Sequence, residues 1–249
     1  MAQPSQDPVV TLIRQISDWT SPDLKQLSAL RYLHRVQVDF SFLKAAVSFW
    51  DPRNHVFNFN GHELCPLPEE FSAILGIYLP PLTPLVLPIF RNQYPQEACA
   101  AFSFSPNEVA RVIPCSSSIE LDSLLTAAAG MSVGSHAWGS AVLFCLLARF
   151  LLIGCDSKRG DYRLLHLLPG IRNGHDLSAV ILAETLRGLD EVQGRPSRRF
   201  LGSPLLLQVP PCFWSSTVLS DFRSITRCYN FCLDRPFGFS IHRANSFFF

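Results

Sequence analysis

"HVFNFNGHELCPLPEEFSAILG", residues 55–76, sets two histidines, a cysteine and three glutamates around an Asn-Gly pair. Val56, Phe57, Asn58 and Phe59 open a short strand, and Asn60-Gly61 supplies the positive backbone angles of a tight hairpin turn. Glu63-Leu64-Cys65 returns. Beyond Pro66, the run Pro68-Glu69-Glu70-Phe71 brings a proline and two acids into the first turn of a helix. Ile74 and Leu75 form its apolar face and Gly76 closes it. Glu69 and Glu70, being adjacent, point about 100° apart around that helix, which suits the helix dipole better than a shared substrate. His55, His62 and Cys65 are the candidate metal ligands here, and with Glu63 the candidate acid-base cluster. The local pattern supplies no further converging ligand, so the preferred reading is surface residues of a hairpin.

Working outward, the flanks read as helices. Ser21-Pro22-Asp23 is a helix start, followed by Leu24, Leu27, Leu30 and Leu33, which predicts a helix from about 22 to 36. A second begins at Asp39, with Phe42, Leu43, Ala46, Val47 and Trp50 on one stripe, and Asp51-Pro52 stops it. Residues 79–106 carry prolines at 80, 81, 84, 88, 95 and 106 and read as a connector or flap. Short helices follow at Pro106 to Val112 and Leu121 to Ala129.

"AWGSAVLFCLLARFLLIG", residues 137–154, approaches the length of a bilayer span, but Arg149 lies deep inside it and no second span exists. It reads as a buried core helix, with Arg149 reaching outward or paired to an acid. "DYRLLHLLPGI", residues 161–171, fits a short strand or a helical turn. Asp176 caps a helix through Leu189, and Ser203-Pro204 opens another that "VPPC" breaks. Taken together the chain is mainly α, an irregular multi-helix globular domain with a small β-hairpin near residues 56–65. Residues 1–20 form an N-terminal extension, 21–208 the helical domain, and 209–249 an irregular tail without sustained period.

Composition excludes more than it selects. In 249 residues, 48% hydrophobic and 16% charged, a net charge of +1 supplies no field toward nucleic acid or anionic lipid. Nucleic-acid contact would fall to the local basic loop with Arg195, Arg198 and Arg199, for which a solvated loop is the preferred reading. The cysteines are scattered, and "MAQPSQDPVV" lacks a basic region followed by an apolar run. Reduced thiols in the nucleus or cytosol, not secretion, are expected. Cys228 and Cys232, with His242 nearby, lack a second pair at zinc-ligand spacing. His166 and His175 lack a nucleophile at catalytic spacing. Lys25, Lys44 and Lys158 are the only lysines, and none lies in a phosphate cradle, which argues against a pyridoxal-phosphate Schiff base; no cofactor is expected.

"FWDPRNHVFNFNGHELCPLPEEFSAILGI", "HAWGSAVLFCLLARFLL", "LSAVILAETLRGLDEV" and "FLGSPLLLQ" resemble, in the same order, successive blocks of the plant mobile domain family and its relatives in plant transposon-like proteins. The resemblance covers about residues 20–208 and is most specific in the first and third blocks. It implies a largely helical domain found in transposable elements and genes derived from them, with some members linked to silencing in the nucleus. No catalytic residues come with it, and the label "aminotransferase-like" on some relatives meets the lysine argument above. Leu67-Pro68 replaces a threonine cap common in relatives, and "VPPCFWSS" replaces their aromatic-rich continuation. A translated intron or shifted frame from about residue 209 is the expectation that follows. The implied function is a non-enzymatic, transposon-derived interaction domain with protein or chromatin partners and no membrane. The alternatives are a metal- or thiol-dependent hydrolase and a nucleic-acid-binding module.

Overall fold

The computed structural model describes residues 8–16, 24–33, 38, 40–59, 62–75, 87, 94–112, 118–153, 158–194 and 202–208. Helix α1, Pro8–Gln15, buries Val9 and Ile13. Within the span expected as one helix from 22 to 36, the described residues form a 3-10 turn, Lys25–Leu27, and a short helix α2, Leu30–Leu33. The strict three-residue repeat of Leu24, Leu27 and Leu30 explains the difference. All three are buried, and a period of three keeps side chains eclipsed on a 3-10 turn, whereas on an α turn the same spacing drifts slowly around one face. The bonds Leu27 N to Leu24 O, at 2.8 Å, and Arg31 N to Ser28 O, at 3.2 Å, are of that tighter kind.

Helix α3, Phe40–Ser48, ends before Trp50, which the sequence stripe had included. Trp50 belongs instead to β1, Trp50–Asp51, antiparallel to β2, Val56–Phe59, which pairs in turn with β3, His62–Leu64. The expected hairpin is therefore the outer part of a three-stranded meander, order β1-β2-β3. Asp51 makes the first reversal. Its carboxylate accepts from Arg53 N and from Asn54 Nδ2, each at 2.9 Å, and these bonds hold its carboxyl below the ordinary aspartate range. The Asn60-Gly61 reversal lies outside the described residues.

Helix α4, Pro68–Leu75, starts at the expected proline and buries Phe71 and Leu75. Glu70 Oε2 accepts from Leu67 N at 3.0 Å, the back-reaching half of a capping box without a hydroxyl partner. Burial is the main cause raising the Glu70 carboxyl above its ordinary value. Helix α5, Tyr94–Phe102, corrects the reading of 79–106 as connector throughout, because Pro95 falls in its first turn, where no amide hydrogen is needed.

Helix α6, Pro106–Val112, begins with a complete capping box. Ser105 N and Oγ both donate to Glu108 Oε2 at 2.8 Å, and Glu108 N donates back to Ser105 Oγ at 3.4 Å. The Ser105 donors hold the Glu108 carboxyl below its ordinary value, so folding favours its charged form. The linkage sign follows: stability from this group is present above the unfolded carboxyl pKa and is lost as pH falls through the folded one. Glu108→Gln is therefore expected to be less stable than wild type at neutral pH, with the gap closing below about pH 4 in urea melts.

Strand β4, Ser118–Glu120, leads into helix α7, Leu121–Ala128. The most apolar segment forms α8, His136–Leu146, and continues as a π-helical turn, Leu147–Leu151. Residues 139–148 are buried all round, the signature of a central helix. Arg149, in the π turn, is partly exposed with its guanidinium 6.0 Å from the Phe150 ring centroid. Among the described residues no helix is long and apolar enough to cross a membrane. Strand β5, Arg159–Asp161, pairs antiparallel with β4, a pairing that the sequence did not announce. Gly160 makes this pairing possible beside α8, since a Cβ there would lie 2.5 Å from Phe144 Cε1.

"DYRLLHLLPGI" is helical, as a 3-10 turn, Tyr162–His166, capped by Asp161, and helix α9, Leu167–Arg172. Helix α10, Ser178–Gly194, runs past the expected end at Leu189 and packs against α4, α3 and β1. Helix α11, Pro204–Gln208, follows, with Leu205 and Leu206 buried. The tail from 209 lies outside the described residues.

Candidate functional site

A polar cluster links the β-meander to α10 through one carboxylate. Asp190 Oδ1 accepts from Trp50 Nε1 at 2.8 Å, and its Oδ2 lies 3.1 Å from His55 Nε2. The local folding explains each position. Trp50 is buried because β1 turns its indole toward α10, where it also meets Phe57 at 4.8 Å between centroids. His55 closes the Asp51 turn with φ of 53°, a left-handed conformation that costs a residue with a Cβ about 1 kcal/mol. It stacks on Trp50 with centroids 5.9 Å apart and ring planes 18° from parallel. The cluster thus has a buried arm and an exposed arm on one carboxylate. A histidine beside a carboxylate can move a proton, but acyl or phosphoryl transfer also needs a nucleophile and an oxyanion donor.

Two further pairings join helices. Arg172 Nη1 lies 2.6 Å from His136 Nε2, and its Nη2 donates to Ser140 Oγ at 2.8 Å, tying the end of α9 to the start of α8. His166 Nε2 and Glu97 Oε2 lie 3.0 Å apart, joining the turn before α9 to α5. A hydroxyl chain runs from Ser72 Oγ to Ser178 Oγ at 2.7 Å and on to Asp176 Oδ1 at 2.6 Å. Asp176 also accepts from Ser178 N at 2.9 Å, so it shapes the entry to α10 while Ser72 fastens α4 to it.

The residues singled out in the sequence are dispersed. His55 turns to Asp190, whereas His62 and Glu63 are exposed on β3 and Cys65 is exposed just beyond it. Among the described residues no group of three or more His, Cys, Asp or Glu side chains could hold a metal ion. Cys145 is fully buried in α8, and burial pushes its thiol far above the ordinary range. Lys25, Lys44 and Lys158 are all exposed. Arg195, Arg198, Arg199, Cys228, Cys232 and His242 lie outside the described residues. Sequence reading missed Asp190 as the partner of His55 and Trp50, because nothing local marks contacts across 135 and 140 positions.

Comparison of the chain with protein-family models, with curated proteins and with solved structures finds no match.

Proposed function

We propose that the chain is a non-enzymatic, transposon-derived interaction domain of the plant mobile domain kind, acting with protein or chromatin partners in a plant nucleus. The observation that carries this reading is that the four blocks of resemblance are the parts that fasten one another. The first block meets the third through Trp50, His55 and Asp190 and through Ser72 and Ser178. The third meets the fourth where Ser203 N donates to Thr185 Oγ1 at 2.9 Å. The fourth meets the second where Ser203 Oγ donates to Phe150 O at 3.3 Å. His55, the one candidate histidine of the hairpin that meets a carboxylate, is engaged in a scaffold contact with Asp190, which suits a fold whose product is a surface.

The test is recovery of the tagged full chain from plant nuclei after mild cross-linking, with metal analysis of the purified protein alongside. The expected result is a nuclear chain that brings down the same protein partner in repeat preparations. A chain that stays out of the nucleus and recovers nothing above control overturns the reading, and stoichiometric zinc with hydrolytic turnover replaces it with the enzyme alternative.

A further inference from the structure

The two arms of Asp190 differ in kind. Trp50, whose indole N–H fills Oδ1, is 2% exposed, whereas the His55 side chain on Oδ2 is 50% exposed. The His55 ring lies beside the indole, 18° from parallel with centroids 5.9 Å apart, and all of the turn residues 52–55 are exposed. A planar ring bearing an N–H donor is therefore offset-stacked against an indole with its edge toward a carboxylate oxygen. That is the arrangement a guanidinium adopts on tryptophan beside an acid.

We infer that Trp50 and Asp190 form a binding site for an arginine side chain of a partner protein, and that His55 fills this site in the free chain. The inference rests on the interaction-domain reading and gives its partner a chemistry, an exposed arginine. The guanidinium takes the imidazole's place. Its plane stacks on the Trp50 indole, and its in-plane N–H groups donate to Asp190 Oδ2. An ammonium group lacks the plane, and a neutral urea group lacks the charge that makes the bond to a carboxylate strong. Displacing His55 leaves the bond from Trp50 to Oδ1 intact, so the meander stays on α10. The left-handed backbone at His55 is one that glycine adopts without strain, so the imidazole arm can be removed while the turn is kept. Arg187, earlier on α10, already lies 3.5 Å from Glu184 and 3.3 Å from Glu191, so its guanidinium is directed elsewhere.

The experiment follows the Trp50 indole N–H of the full chain by heteronuclear NMR, the resonance being assigned by its loss in Trp50→Phe. The probes are N-acetyl-arginine amide and its neutral isostere N-acetyl-citrulline amide. Wild type is expected to respond weakly, and His55→Gly to bind the arginine probe about tenfold more tightly because the competing imidazole is gone. His55→Asn, which also tolerates the left-handed turn, gives the same reading should glycine loosen the fold. Asp190→Asn keeps an oxygen for the indole but loses the charge, and is expected to lose the response. The inference is overturned if the indole resonance of the His55 variants ignores the arginine probe, if citrulline moves it equally, or if adding Asp190→Asn to His55→Gly leaves the response of His55→Gly undiminished. Nuclear recovery of a partner without an arginine response sinks this inference alone. An arginine response without a nuclear partner supports the site and sinks the wider reading.

Discussion

Gly202→Ala is expected to lower the stability of the domain by about 3 kcal/mol or more, among the largest effects a single methyl group can have. Gly202 has φ of 100°, where an L side chain is strained whatever space surrounds it. Space is also lacking. An added Cβ would fall onto the Thr185 backbone, 2.7 Å from its nitrogen and 2.8 Å from its Oγ1. The close approach exists because Gly202 and Ser203 knit three elements. Gly202 exchanges bonds of 3.0 and 3.3 Å with Ile153, Ser203 N reaches Thr185 Oγ1 on α10, and Ser203 Oγ reaches Phe150 O in the π turn. Thr185 and Ser203 are fully buried, so separating them leaves polar groups without water. Gly194→Ala is the matched control. Gly194 ends α10 with open space around its Cβ position, and alanine there is expected to be neutral or stabilising by up to about 1 kcal/mol. Urea melts of the two variants against wild type read the contrast. Similar midpoints for both would show that the 202–208 segment contributes nothing to the cooperative fold.

The contrast between these glycines marks where sequence reading reaches its limit. Local chemistry was legible. Pro68-Glu69-Glu70 starts a helix, Pro106 opens another, and the unbroken apolar run around Phe144 is the centre of the core. The hairpin was legible because Asn60-Gly61 between two short strand-forming runs is a local turn signal, and Val56–Phe59 does pair with His62–Leu64. Strands β1, β4 and β5 were not legible, since segments of two or three residues carry no period and form only because a partner distant in sequence accepts their bonds. Leu24, Leu27 and Leu30 announced a buried face but not its 3-10 geometry, because a three-residue repeat over so short a stretch fits both helices. Of the candidate site, His55 was visible as a residue and invisible as a partner. Its pairing depends on how α10 crosses the meander, a tertiary fact that neither segment encodes alone.

Asp190 is where that tertiary fact can be measured. Asp190→Ala removes the acceptor of the Trp50 indole N–H, and the indole is too deeply buried to turn to water. A buried donor left without a partner costs about 1–3 kcal/mol, and the variant is expected to lose about 2 kcal/mol. Asp190→Asn keeps an amide oxygen at Oδ1 and is expected to lose less than about 1 kcal/mol, which separates the hydrogen bond from the charge. The decisive comparison is a double-mutant cycle with Trp50→Phe. Phenylalanine removes the donor, so Asp190→Ala then has nothing to orphan, and its added cost in that background is expected to fall by about 1 kcal/mol. Simple additivity of the two substitutions would place the attachment of the meander to α10 in the packing of β1 alone, with Asp190 incidental. Coupling of the expected size instead makes the carboxylate the fastener between the first and third blocks, fixed by its buried arm and leaving the exposed arm free to exchange.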